Sequence, residues 1–277
     1  MNPRSFFILV LGLSLLAPAC SGKDKSPPKK AAARTSSGPA YVPPKVSSTP
    51  RNVAPRLPYQ FPASIGVSHS KGDTSQPYIA MTFDDGPHPT NTPRLLDMLR
   101  ARNIKATFYV IGENVERYPA LTRRIVAEGH ELGNHTWTHA NLKKLSDQGV
   151  RRELDRTKAT IIKVTGVQPR TMRPPYGALL QRQREMIFRE YGYPTILWAV
   201  DPQDWKRPGP SVVTSRILNA TRNGSIVLAH DLHAPTIDAM PATFDGLLRK
   251  GFRFVTVSQL LAQKAAAARQ SGSAAGN

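Results

Sequence analysis

The chain has 277 residues, of which 38 are basic and 19 acidic, giving a formal net charge of +19. Its single cysteine excludes an internal disulfide framework, so any folded domain must stand on its apolar core. The positive surplus points to an anionic partner, either a wall polymer bearing carboxylates or an anionic membrane surface.

At the N-terminus, Met1–Arg4 carries one positive charge, and Phe6–Ala17 is apolar apart from Gly12 and Ser14. That run falls short of the roughly 20 residues a membrane anchor needs, and residues 1–20 read as a secretory signal. Cys20 lies between Ala19 and Ser21, where a lipoprotein carries its lipidated cysteine. Ala17-Pro18-Ala19 reads equally as an A-x-A cleavage site, so a lipid anchor and a free secreted product both stay open. Either way the expected location is the periplasm or cell envelope, which disfavours nucleic acid as the partner. Residues 21–75 are rich in Pro, Ser, Ala and Lys, show almost no apolar periodicity, and read as an extended tether. Residues 76–264 are long enough for one core and form the expected single domain, and 265–277 form a tail.

Within that domain, strand-like apolar runs alternate with amphipathic helical segments. Tyr78–Phe83 is the first strand, followed by a helix starting at Thr92-Pro93 with an apolar face of Leu95, Leu96, Met98 and Leu99. Ala106–Ile111 is the next strand, Pro119–Ala127 the next helix, and His130–His135 a strand end. Ser146–Val164 has helical spacing at Val150, Leu154, Ile161 and Val164, with Thr157 filling the gap in the stripe. Then come a short strand Thr171–Arg173, a helix Arg182–Tyr191, a strand Thr195–Asp201 and a helix capped by Ser211. Strand Ser225–His230, a helix near Ala239–Lys250, strand Phe252–Val257 and a short helix from Ser258 complete the order. This alternation predicts an α/β fold with a parallel sheet, closed as a distorted barrel of seven or eight units.

Polar residues cluster at the strand ends: Asp84-Asp85, His135, Arg173, Asp201 and His230 each follow a predicted strand. In an α/β barrel those ends share one face, and that face carries the chemistry. His135 and His139 are four apart, which on a helical turn lets both imidazoles reach one ion. Adjacent carboxylates at Asp84 and Asp85 repel each other, and a cation bound by one relieves that cost. Two histidines and a carboxylate leave positions open on the metal, the pattern of a catalytic site. Zinc is the default ion, with cobalt, nickel or manganese as alternatives. The second aspartate is then placed to take a proton from water, and His230 to give one to a leaving amine. Asp204, Asp231, His233 and His88 are placed on a groove rim or a solvated loop.

Five segments together resemble the polysaccharide deacetylase family, the NodB-homology domain of chitin, peptidoglycan and xylan deacetylases, over about Tyr78 to Val257. They are Thr82-Phe83-Asp84-Asp85-Gly86-Pro87, His135-Thr136-Trp137-Thr138-His139, Arg173-Pro174-Pro175-Tyr176-Gly177, Asp201-Pro202-Gln203-Asp204-Trp205 and Ile226-Val227-Leu228-Ala229-His230. The resemblance implies that Asp84 is the base, Asp85, His135 and His139 hold the metal, and Arg173 orients the base. It further implies that Pro175 and Tyr176, Trp205 and Leu228 line the substrate groove, with the backbone N–H at Tyr176 helping to hold the oxyanion. Asp201 is expected to pair with His230, the acid. The implied activity is removal of N-acetyl groups from an amino-sugar polymer, with peptidoglycan favoured by export and charge. The runner-up substrates are chitin oligosaccharides and acetyl-xylan. An inactive wall-binding relative is the alternative from another class, opposed by the intact set of site residues.

Overall fold

A computed structural model of the chain describes Phe61 and residues 65–263. The expected signal, Cys20, most of the tether and the C-terminal tail lie outside the described residues. Among the described residues, no helix is long and apolar enough to cross a membrane.

Seven short strands occur among the described residues: β1 (Ser68–His69), β2 (Tyr78–Asp84), β3 (Thr107–Val110), β4 (Glu131–Asn134), β5 (Thr195–Ile196), β6 (Ile226–Val227) and β7 (Arg253–Phe254). The longest, β2, is the hub. It pairs in parallel with β3 on one side, and with β6 and β7 on the other. Strand β7 meets Tyr78 and Ile79, whereas β6 meets Ala80 and Met81, so two strands share one edge and distort the sheet. From β3 the pairing runs to β4, then through single bridges from Asn134 to Met172 and from Met172 to Thr195. A bridge between Val200 and Val227 leads back to β6 and closes the ring. The result is a distorted (β/α) barrel whose strand ends share one face, as the alternation predicted.

Side chains of β2 are buried on both faces, which explains its near-continuous apolar sequence. Ile79, Met81 and Phe83 face outward into the main core, with Leu95, Leu96, Leu99, Phe244 and Leu247. Ala80 faces inward, with Tyr109, Ile196 and Ile226. The period of two therefore splits one strand between two cores. Each large outward side chain contributes about 1.5–3 kcal/mol through burial. Gly133 on β4 is required for space, because a Cβ there would collide with the Tyr109 ring.

The helices packed outside are α1 (Asn91–Ala101), α2 (Gly112–Arg117), α3 (Pro119–Ala127), α4 (Asp147–Thr165), α5 (Gln181–Tyr191), α6 (Pro210–Ala220) and α7 (Ala234–Arg249). Helix α4 buries Val150, Leu154, Thr157 and Ile161 of the anticipated stripe and leaves Val164 half-buried against the main core. Its first turn is capped by the Ser146 hydroxyl, which accepts from the Gly149 N–H, and Gly166 ends it at φ 71°.

Several expectations change. Helix α6 begins with Pro210 in its first turn, and Ser211 is not its cap. Helix α7 begins at Ala234, five residues before the expected Ala239, with Pro235 in the first turn, where no N–H is needed. Helix α2 was not anticipated. The strands expected over 195–201 and 225–230 are regular only at their starts, because single bridges replace continuous ladders near the site.

The expected boundary at residue 76 also moves. Phe61 and Ile65 are buried in the same cluster as Val257, Leu260 and Leu261, and β1 pairs in parallel with β5. Two apolar residues so widely spaced carry no periodicity, and only the tertiary contact reveals them as core.

Candidate active site

Arg173 is the buried centre of the site. Its side chain is fully buried inside the barrel, 4.3 Å above the Tyr109 ring. Nη1 donates to the Thr82 hydroxyl and to Asp84 Oδ1, both at 2.7 Å, while Nε and Nη2 donate to the carbonyls of Ile196 and Leu197. A buried guanidinium needs this many acceptors to offset its lost hydration. Asp84, equally buried, is thereby held in one orientation at the end of β2.

Asp85 turns the other way. Its φ of 75° swings the carboxylate out of the barrel, and Asn114 Nδ2 fixes the turn by donating to its carbonyl. Asp85 Oδ1 then lies 3.4 Å from His135 Nε2 and 3.3 Å from His139 Nε2. One donor atom from each of these three residues falls within 4.8 Å of the others. Oδ1 is buried and has no hydrogen-bond partner, a costly arrangement for a carboxylate that a cation would relieve. The His135 Nδ1 faces the Arg173 carbonyl at 2.7 Å, which fixes its proton there and turns the Nε2 lone pair toward Asp85. Two imidazole nitrogens and a carboxylate oxygen suit zinc and similar divalent ions, so Asp85, His135 and His139 fit a metal.

Burial opposes protonation of His135, but the charges of Asp84 and Asp85 outweigh it and raise its pKa. The other two ligands shift toward the forms that bind metal. Burial alone would raise the Asp85 pKa, but the close approach and charge of His135, with His139 and His230, bring it down to about 2. Burial, reinforced by the charge of His135, lowers the pKa of His139 and favours the neutral form that ligates metal.

His135 and His139 do not share a helical turn. Residues 135–139 form an irregular loop in which Thr136 has φ 69° and His139 has φ 61°. Such conformations are costly for residues with a Cβ and need external support. Glu153 of α4 supplies it: Oε2 accepts from the backbone N–H groups of Trp137 and Thr138 at 2.8 and 2.9 Å, and Oε1 from the Thr138 hydroxyl. Asn134 Oδ1 accepts from the Thr136 N–H. Nothing in the sequence singles out Glu153, which lies 14 residues beyond His139 on a helix.

His230 stands at the end of the strand beside Asp84, to which its backbone is bridged. Its expected partner was Asp201; the structure replaces it with Asp204. Asp204 Oδ1 is 2.8 Å from His230 Nδ1, and Oδ2 accepts from the His230 N–H and the Thr236 hydroxyl. Asp201 is exposed, and its Oδ1 accepts from the Gln203 N–H. The reason is local: Gln203 at φ 54° reverses the chain after Asp201 and carries Asp204 inward. Both aspartates lie in one five-residue segment, and order alone could not choose between them.

Burial opposes protonation of His230, but the Asp204 bond and charge, with Asp84 and Asp85, outweigh it and raise the pKa to about 9. Asp231 is neither rim nor solvated loop. It is fully buried behind Gly86, where any Cβ would strike its carboxylate, and Thr92 donates to its Oδ2. Burial pushes it up to about 7. Tyr176 and Trp205 are exposed beside these groups, the Tyr176 ring lying 4.7 Å from that of His139. Leu228 and Pro175 are buried beneath.

A model of the family described as polysaccharide deacetylase matches residues 71–196. The chain is 39% identical over 204 residues to the peptidoglycan-N-acetylglucosamine deacetylase PgdA of Listeria monocytogenes, covering 74% of this chain and 43% of that protein. A peptidoglycan-N-acetylglucosamine deacetylase of Bacillus cereus is 36% identical, with 68% and 70% covered. A chitooligosaccharide deacetylase of Bradyrhizobium is 37% identical, with 73% and 99% covered. Among solved structures, the peptidoglycan deacetylase PdaC of Bacillus subtilis superposes with a TM-score of 0.66 at 36% identity, covering 72% of this chain and 97% of that one. The chain belongs to the polysaccharide deacetylase family. It spans less than half the length of the Listeria relative.

Two outcomes follow for the site. In an NMR titration, the His230 imidazole should keep its proton to about pH 9. Asp204→Asn should lower that value, and Asp201→Asn should leave it in place. The raised pKa stabilises the fold fully below about 6.5, and that share is lost as pH rises through about 9. For the loop, Glu153→Ala should weaken zinc binding roughly 10- to 100-fold in a chelator competition. Glu153→Gln, whose oxygen still accepts, should recover part of that loss; unchanged affinity in the alanine variant would refute the role.

Proposed function

We propose that the protein is a metal-dependent deacetylase that hydrolyses the N-acetyl amide of GlcNAc or MurNAc units in peptidoglycan. The observation that carries this reading is the meeting of three groups at one barrel mouth: Asp85 with His135 and His139, Asp84 held by Arg173, and His230 held by Asp204. Relatives named as peptidoglycan deacetylases support the substrate. The chitooligosaccharide deacetylase relative, matched along nearly its whole length, supports chitin oligosaccharides as the second reading.

The residues divide the work. A divalent ion held by Asp85, His135 and His139, zinc by donor type, would polarise the acetyl carbonyl and acidify water. Asp84 is the carboxylate that the metal group leaves over, and Arg173 holds it aimed through a buried 2.7 Å contact. As the attacking water adds to the acetyl carbon, Asp84 takes its proton. His230, protonated at neutral pH, gives a proton to the sugar nitrogen as the C–N bond breaks. Acetate and a free amine leave. Tyr176, Trp205, Leu228 and Pro175 are the groove residues in this reading, with Trp205 and Tyr176 offering faces on which sugar rings stack.

We further propose that residues 1–20 direct export and that a lipid on Cys20 holds the enzyme at the cell envelope. Intact mass of the membrane-bound protein should reveal acyl chains on Cys20. An unmodified, soluble product beginning near that residue would overturn the anchor.

For the reaction, the protein supplied with zinc should release acetate and free amines in equal amounts from N-acetylated peptidoglycan. A chelator should abolish release. Asp84→Asn should lower kcat by roughly 10²- to 10⁴-fold, the usual contribution of a general base. Full activity in that variant would mean that Asp84 is not the base.

A further inference from the structure

The groove rim carries a feature that the reaction itself does not use. The short turn Asp204–Lys206 is bounded by Gln203 and Arg207, both at φ 54°. Two left-handed residues with side chains, one at each end, are strained and persist only where the surroundings impose them. Here Asp204 imposes them. Its buried carboxylate is tied to His230 and Thr236, and its carbonyl accepts from the Arg207 N–H at 2.8 Å. The same anchor that orients the acid histidine therefore fixes what the turn displays.

The turn displays an aromatic ring and two cations. Trp205 is half exposed, and Lys206 Nζ stands 4.9 Å above its ring. Lys206 and Arg207 are exposed, and neither forms an ion pair with a described residue. Some exposed arginines of the domain, Arg94 and Arg182 among them, hold a carboxylate, while others, such as Arg117 and Arg253, pair with none among the described residues. What sets Lys206 and Arg207 apart is their place on the anchored turn. The nearest exposed acid in sequence, Asp201, is engaged by the Gln203 N–H. The charge of Arg207 also reaches His233, whose ring lies 6.2 Å from that of His230. Two cations without a carboxylate partner among the described residues thus stand on the turn whose anchor, Asp204, also holds the acid histidine.

We propose that Lys206 and Arg207 bind a carboxylate carried by the glycan next to the sugar being deacetylated, so that the enzyme prefers carboxylate-bearing amino-sugar polymers to neutral ones. Trp205 stacks on a sugar ring, and the two cations read the acidic substituent beside it. In such a polymer the carboxylate belongs either to a lactyl ether on the sugar or to an attached peptide. This inference rests on the deacetylase reading for its substrate, but binding tests it separately.

The test compares three glycans of equal length: peptide-bearing fragments, fragments stripped to the lactyl carboxylate, and neutral chitin oligosaccharides. Lys206→Gln/Arg207→Gln should raise KM roughly 3- to 30-fold on carboxylate-bearing glycans, with kcat little changed, as expected for two partly solvated ion pairs. KM on chitin oligosaccharides should move less than twofold. Arg207→Gln alone, which leaves the Trp205 contact intact, should give part of the effect. Added salt should weaken the wild type toward the double variant. A response to stripped fragments identifies the lactyl carboxylate, and a response only to peptide-bearing ones identifies the peptide. Equal loss on all three glycans, or none on any, overturns the rim. Should nothing be hydrolysed, binding to the Asp84→Asn protein decides. Salt-sensitive binding of acidic fragments that the rim substitutions abolish sustains the rim and sinks the deacetylase reading; its absence sinks the rim as well.

Discussion

The ion pair between Arg173 and Asp84 inside the barrel is the contact on which the site depends. Both side chains are almost wholly removed from water. Taking two charges out of water is expensive, and removing one partner from such a pair typically costs about 3–5 kcal/mol, because the other is left uncompensated. The barrel meets that cost with geometry. Thr82 and the carbonyls of Ile196 and Leu197 take three more of the guanidinium protons, and the Tyr109 ring lies against its face. These acceptors come from β2 and from β5 with the residue that follows it, while Arg173 itself follows the bridge at Met172, so the pair also ties the barrel wall together across its interior. The short, interrupted ladders near the mouth are compatible with a fixed site because this buried cross-link does part of their work.

From that centre the site spreads in two directions, each controlled by turns in left-handed conformations. Toward the metal group, Asp85, Thr136 and His139 all have positive φ, and Tyr176 beside them does too. Toward the acid, Gln203 and Arg207 do. Strain of this kind marks places where side-chain direction outweighs backbone comfort. Each turn has an external clamp: Asn114 for Asp85, Glu153 for the histidine loop, and the His230–Asp204 pair for the rim. Removal of a clamp therefore affects function through orientation before it affects the fold.

Much of this was legible in the chain. The alternation of apolar runs and helical stripes marked a parallel α/β barrel, because the period of two in β2 and the spacing in α4 are local properties of consecutive residues. Asp84, Asp85, His135, Arg173 and His230 could be picked out because parallel strands place their ends on one face. Other features were not legible. The helical reading of His135 and His139 came from a four-residue spacing that a loop satisfies equally well. The choice of Asp201 over Asp204 failed because one residue in a left-handed conformation reverses the chain, and no rule of composition signals it.

The amino-acid order by itself determined the strand and helix order, the family motifs and the identity of the groups that meet at the barrel mouth. Those follow from periodicity and from the rule that parallel strands end together. Only the tertiary structure decided that Asp204 faces His230, that Glu153 braces the histidine loop, and that Phe61 and Ile65 belong to the core. Those contacts join residues far apart in the chain or turn on a single backbone angle. Such relations depend on three-dimensional closure, which local sequence patterns do not encode.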